Sequence, residues 1–126
     1  MLDPINVDLS IIGATLFSGT SLVGDPSGVP KGEDGPNPST IVPARNLVFL
    51  SLAVAAACSR GCEEVAYAPH AWDHGLYPDC RPKFAGRMAD VAKFAHTSPI
   101  KIACPSLVHP RMLLYWQAST MVCRGA

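Results

Sequence analysis

The 126-residue sequence has no net charge, because ten Lys and Arg are balanced by ten Asp and Glu. A dedicated nucleic-acid binder is normally basic overall, so that class is set aside and no nucleic-acid partner is expected. Aromatic residues are scarce at 7%, which leaves Ala, Val, Leu and Ile to build a core. No two cysteines have C-x-x-C spacing, and the five present are an odd number. Reduced thiols are therefore expected rather than a disulfide framework. Long apolar runs are also missing. The longest, Leu47 to Cys58, is interrupted by Ser51 and falls short of the about 20 residues a bilayer span needs. The opening MLDPINVDLSII contains Asp3 and no basic stretch, so it does not read as a signal peptide. Together these absences predict a soluble, cytoplasmic chain with no membrane partner.

What is present points to one small domain. Hydrophobic residues make up 48% of the chain, and Pro (12) and Gly (10) are abundant for its length. Charge is unevenly spread. Residues 1–44 carry Asp3, Asp8, Asp25, Glu33 and Asp34 against Lys31 alone, whereas residues 45–126 carry five acids and nine bases. An anionic ligand is therefore expected on the second part.

Residues 19–43 contain five Gly and five Pro. They read as a long irregular loop within the domain, since neither a helix interior nor a central strand tolerates that composition. Ser39, Thr40 and Asn46 are candidate caps for the apolar run that follows, and Gly61 is its stop. A helix apolar on all sides predicts a buried one. Glu64 to Ala68, closed by Pro69, reads as a strand. Pro82 suits the first turn of a helix running to about Ala95, with Phe84, Met88, Val91 and Ala95 on one face. Ile100 to Cys104 reads as a second strand, and Arg111 to Ser119 as a last helix. Alternation at this spacing predicts an α/β fold with a parallel sheet, whose ligands bind beyond the carboxyl ends of the strands.

The loop after the first strand is where the chemistry concentrates. Residues 69–82 contain His70, Trp72, Asp73, His74, Tyr77, Asp79, Cys80 and Arg81, in a connection longer than the usual about 2–6 residues. His70, Asp73 and His74 are of types that ligate zinc or iron, which would make a small metal-dependent hydrolase. Cys80 beside Arg81 is a candidate nucleophile. Arg81 and Arg45 offer planar forks of donors for an anion, and Asp73 offers a carboxylate for magnesium. Each also has a plainer reading: a buried thiol, a salt bridge from Arg81 to Asp79 or Asp73, a solvated first-turn charge at Arg45, and a loop cap at Asp73.

Two stretches resemble a known family. Thr40-Ile41-Val42-Pro43-Ala44-Arg45-Asn46, followed by Phe49-Leu50-Ser51-Leu52-Ala53, is similar to the T-x-V-P-A-R-N-x-x-F-L-S-x-A stretch of the 7-cyano-7-deazaguanine synthases of queuosine biosynthesis. Further along, His70-Ala71-Trp72-Asp73 and Tyr77-Pro78-Asp79-Cys80-Arg81-Pro82-Lys83-Phe84 resemble the H/N-A-x-D-x-x-x-Y-P-D-C-R-P-x-F signature of the same family. The resemblance covers roughly residues 7–105.

The resemblance implies an adenine-nucleotide alpha-hydrolase-like (Rossmann-like) parallel sheet with flanking helices, of the PP-loop ATP pyrophosphatase kind. It implies adenylation of 7-carboxy-7-deazaguanine by ATP, displacement of AMP by ammonia, and dehydration of the amide to the nitrile by a second ATP, with magnesium on the phosphates. By motif match, Asp73, Asp79 and Cys80 are expected among the catalytic residues. Arg45, Asn46, His70, Tyr77 and Arg81 are expected to bind substrate or phosphate.

Departures temper this. The family's SGGxDS pyrophosphate loop does not occur in these 126 residues, and Ser18-Gly19-Thr20-Ser21 only mimics it. Of the family's four zinc-binding cysteines, only the first has a candidate counterpart here, Cys123. Pro69, Trp72, Gly75 and Leu76 depart from the signature. The expectation is a partial synthase domain, inactive as this isolated chain, that pairs with itself or with a chain supplying the missing parts. The competing expectation is a non-catalytic nucleobase-binding or assembly module.

Overall fold

The computed structural model describes residues 4–23 and 38–104. The chain divides into two compact units, residues 1–43 and 44–126.

In the first unit, helix α1 spans Ser10–Leu16. The Asp8 carboxylate accepts the Ser10 backbone N–H at 2.8 Å, and that bond holds the Asp8 carboxyl below its ordinary range. A 3₁₀ turn follows at Pro38–Thr40. The Ser21 backbone N–H donates to the Ser39 carbonyl at 2.9 Å, and the two Ser hydroxyls pair at 3.0 Å. The described parts of the Gly/Pro-rich stretch contain only turns of this kind, as its composition requires.

The second unit begins with helix α2, Arg45–Ser59. It ends in a glycine stop of two paired bonds. The Cys62 N–H reaches the Ala57 carbonyl at 2.9 Å, and the Gly61 N–H reaches that of Cys58 at 3.3 Å. Gly61 adopts φ +64, a left-handed conformation that glycine enters without a Cβ penalty. Strand β1 (Glu64–Ala66), helix α3 (Pro82–Ala92) and strand β2 (Lys101–Ala103) follow among the described residues of this unit. The strands pair in parallel, with Glu64, Val65 and Ala66 opposite Lys101, Ile102 and Ala103. This is the predicted α/β arrangement, a small parallel sheet with flanking helices. Strand β1 starts at Glu64 as expected but ends two residues early, β2 is shorter by one residue at each end, and α3 stops at Ala92 rather than near Ala95.

The core gathers Leu50, Val54 and Ala57 of α2, Cys62, Val65 of β1, Met88 and Ala92 of α3, and Ile100. Ile100 is 2% exposed; burying such a side chain contributes about 1.5–3 kcal/mol. Two expectations about helix faces are corrected. Helix α2 is not buried all round, since Leu47 and Phe49 are more than two-fifths exposed. On α3 the buried residues are Ala85, Met88 and Ala92, with Phe84 packed partly against the core, while Val91 is 62% exposed. Small Ala side chains let α3 lie close to its neighbours, and the inner face turns toward Ala85 and Ala92 while Met88 stays on it.

Pro38–Ser59, with mean hydropathy 1.8, is long and apolar enough in composition to cross a membrane. Its backbone is not one helix, however. Ala44 adopts φ 55 between the 3₁₀ turn and α2, and the 15 residues of α2 measure only about 22 Å at about 1.5 Å each, short of the roughly 30 Å hydrocarbon core.

The cysteines also differ from expectation. Cys58, Cys80 and Cys104 are free thiols, but Cys62 is disulfide-bonded. The last expected helix, Arg111 to Ser119, and Cys123 lie outside the described residues.

Candidate functional site

Strand β1 ends at Ala66, and the loop beyond it leaves the carboxyl edge of the sheet. Two 3₁₀ turns organise this loop, Ala71–His74 and Pro78–Cys80. In the first, the His70 ring nitrogen Nδ1 accepts the Trp72 N–H at 3.3 Å. The Asp73 carbonyl accepts from Leu76 and Tyr77 at 3.2 and 2.8 Å. Arg81 ties the turn down, its Nε donating to the His74 carbonyl at 2.8 Å and its Nη2 to that of Gly75 at 3.4 Å. The anticipated salt bridge from Arg81 to Asp73 or Asp79 is thus replaced by backbone clamping. A guanidinium has five N–H donors, so this leaves part of the fork for other acceptors.

The second turn carries Asp79 and Cys80 to the start of α2. Residue Ala44, which precedes α2, supplies no side-chain cap. Instead the Asp79 carboxylate accepts the Asn46 backbone N–H at 3.0 Å, across 33 positions of sequence. An acceptor at this place meets one of the unpaired donors of the first helical turn and favours the positive end of the helix dipole. The expected caps do not serve here: the Ser39 hydroxyl pairs with Ser21, and Asn46 receives the cap rather than providing it. Its side-chain amide donates to the Cys80 sulfur at 3.4 Å and to the Asp79 carbonyl at 3.5 Å. The same carbonyl accepts the Tyr67 hydroxyl at 2.6 Å.

Arg45, the first residue of α2, lies with its guanidinium 5.7 Å from the centre of the Tyr77 ring, a cation–π distance. The structure thus brings together Arg45, Asn46, Tyr77, Asp79 and Cys80 from two separated stretches. His70 is exposed at the near end of the loop, and Asp73 is half-buried.

Cys80 is 3% exposed. Burial foremost, and then the neighbouring Asp79 and Asp73 carboxylates, push its thiol above the ordinary value. A reactive cysteine needs the opposite, an exposed and electropositive setting. The Tyr67 phenol is pushed up as well, by burial first and by Cys80 next, so it stays a hydroxyl donor.

Among the described residues, no three His, Cys, Asp or Glu side chains converge as a metal site requires. The trio His70, Asp73 and His74 is therefore not a metal centre. The Asp73 backbone carbonyl closes the turn and that of His74 accepts from Arg81, and His74 Nε2 is buried with no hydrogen-bond partner among the described residues. A groove of about 520 Å³ between α2 and α3, lined by residues such as Val54, Cys58, Met88 and Val91, shares no residue with this loop.

Sequence reasoning missed Tyr67, which it treated only as a strand residue, and the capping role of Asp79. The available signal was the pairing of the two motifs: a carboxylate in one and an uncapped helix start in the other.

Comparison with known proteins gives the family of the chain. The family described as "Queuosine biosynthesis protein QueC" matches residues 2–112. The chain is 46% identical over 103 residues to 7-cyano-7-deazaguanine synthase 1 of Colwellia psychrerythraea, covering 80% of this chain and 46% of that protein. It is 39% identical over 108 residues to the 7-cyano-7-deazaguanine synthase of Hahella chejuensis, covering 84% and 46%. The chain spans about half the length of these curated relatives. No solved structure matches it. On the extent of the family match and these identities, the chain belongs to the QueC family of queuosine biosynthesis proteins.

Proposed function

We propose that these residues form the substrate-anion half of a 7-cyano-7-deazaguanine synthase site. The reaction is the ATP-dependent conversion of 7-carboxy-7-deazaguanine and ammonia to the nitrile. One observation carries the reading: the two family stretches meet, with Asp79 bonded to Asn46 and Arg45 beside Tyr77. Arg45 and Arg81 would bind the substrate carboxylate or the ATP phosphates, because a guanidinium pairs with planar oxyanions through parallel donors. Tyr77 holds the Arg45 guanidinium in place, and Asn46 and Asp79 hold the helix start.

Asp79 and Cys80 were matched to the family's signature as catalytic residues. Their bonding supports positioning roles instead, since the carboxylate is engaged with Asn46 and the thiol is buried. Magnesium is commonly held by one or two carboxylates plus substrate phosphates, and Asp73 fits that pattern; bound there, the ion would neutralise phosphate charge. Among the described residues no ligand trio forms for a structural zinc, and the one candidate ligand, Cys123, lies outside them.

The 126 residues contain no SGGxDS stretch, so by themselves they are expected to be inactive and to need a pyrophosphate cradle from outside these residues. The test has two parts. Calorimetric titration should show binding of 7-carboxy-7-deazaguanine but not of 7-deazaguanine, which lacks the carboxylate. An assay of AMP release from ATP with this polypeptide alone should read zero. Equal affinity for both compounds would overturn the anion reading, and AMP release would overturn the claim of inactivity.

A further inference from the structure

We propose that Tyr67 is the positioning residue of this site. Its hydroxyl, donated to the Asp79 carbonyl at 2.6 Å, holds the Pro78–Cys80 turn where the Asp79 carboxylate caps α2 and where Arg45 meets Tyr77. Its relevance to substrate rests on the anion-binding reading above, but the linkage itself does not.

The geometry forms a relay from the sheet to the helix. Tyr67 follows β1, and its backbone N–H donates to the Ala103 carbonyl at 2.9 Å, which extends the sheet ladder by one bond. Its side chain packs against the core cluster. The residue is thus anchored twice before its hydroxyl reaches the loop. Asp79 is the next link, with the carbonyl taken by Tyr67 and the carboxylate by Asn46. Holding the peptide of Asp79 from one side fixes where its carboxylate can go on the other. The Asn46 amide, spanning to the Asp79 carbonyl and Cys80 sulfur, closes the arrangement. Arg45 sits one residue before Asn46, so its guanidinium inherits whatever orientation the helix start has. Burial of the phenol keeps it protonated, and therefore a donor.

The Tyr67→Phe variant removes the hydroxyl and keeps the ring. Amide hydrogen exchange followed by NMR on the full chain is the test. Loss of one hydrogen bond is expected to speed exchange at the Asn46 N–H by about five- to tenfold, while amides within α3, such as those of Met88 and Val91, keep their wild-type rates. A uniform rise across both helices would mean that Tyr67 only supports the scaffold, and would overturn the proposal. No change at Asn46 would overturn it too. If the variant does not fold, the wild-type chain decides. The Tyr67 hydroxyl proton should be slowly exchanging and close to the Asp79–Cys80 backbone, and its absence there would contradict the relay.

A double-mutant cycle connects the relay to binding. With 7-carboxy-7-deazaguanine as probe, Tyr67→Phe should weaken affinity in the wild-type background and have no further effect in Arg45→Ala. Additive losses would overturn the action through Arg45. Absence of binding by the wild-type chain would count against the anion reading alone, leaving Tyr67 to be judged on the exchange data.

Discussion

The Asp79 carboxylate accepts the backbone N–H of Asn46 at 3.0 Å, and so caps helix α2 from 33 residues away. In most helices the residue just before the first turn does this work. Here that residue is Ala44, which has no side-chain acceptor. A long-range cap joins two tasks: it stabilises the helix and it fixes the 69–82 loop over the helix start.

Removing the cap should therefore cost stability. Asp79→Ala is expected to lower the unfolding free energy by about 1–2 kcal/mol, measured by urea denaturation at neutral pH. Asp79→Asn keeps an acceptor oxygen and should lose less.

Two left-handed backbone positions should respond in opposite directions. Gly61 has φ +64 and Ala44 has φ 55. A Cβ in this conformation costs roughly 1–2 kcal/mol. Gly61→Ala should therefore lower the thermal midpoint, although a Cβ there meets no atom within 4 Å. Ala44→Gly should hold or raise it. Calorimetric melting of both variants checks the pair.

Alkaline pH should destabilise the fold. Burial holds the Cys80 and Cys104 thiols and the Tyr67 phenol above their ordinary values. Groups raised in the folded state contribute stability that is complete below their unfolded pKa and lost as pH rises from there toward the folded pKa. Unfolded thiols titrate near about 8.5 and phenols near about 10, so urea midpoints should stay level near neutrality and fall from about pH 8.5 upward. Cys80→Ser should make that fall shallower. A midpoint independent of pH across the range would contradict the burial of these groups.

Cys80 should resist alkylation. It is 3% exposed and its thiol is raised, so iodoacetamide at neutral pH should leave it unmodified in the native chain and label it rapidly in urea, as read by peptide mass mapping. Rapid native labelling would restore Cys80 as a candidate nucleophile.

Much of the fold was legible in the residues because its signals are local. Gly61 marked the end of α2, Pro82 the start of α3, and the apolar runs around Val65 and Ile102 the two strands. The parts that were not legible depend on distant partners. A cap is sought next to its helix, so Asp79 was not considered for α2. The 3.6-residue period placed Val91 inward, but the small side chains of Ala85 and Ala92 set which face α3 turns to the core. The disulfide at Cys62 left no trace in cysteine number or spacing. At the site, motif likeness named Arg45, Asn46, Tyr77, Asp79 and Cys80, and the structure brings them together. Tyr67 carries no motif, and its part depends on one hydroxyl reaching a carbonyl twelve positions away.

The central claim is that the two family stretches form a single anion-binding site at the start of α2. The most direct measurement is an NMR titration of the chain with 7-carboxy-7-deazaguanine, following the Arg45 side-chain Nε–H, the Asn46 backbone N–H and the Tyr77 ring. The account predicts that all three resonances shift together and saturate with one shared dissociation constant, and that Arg45→Ala raises this constant for the other two. Shifts confined to one stretch, or saturation at different concentrations, would contradict it.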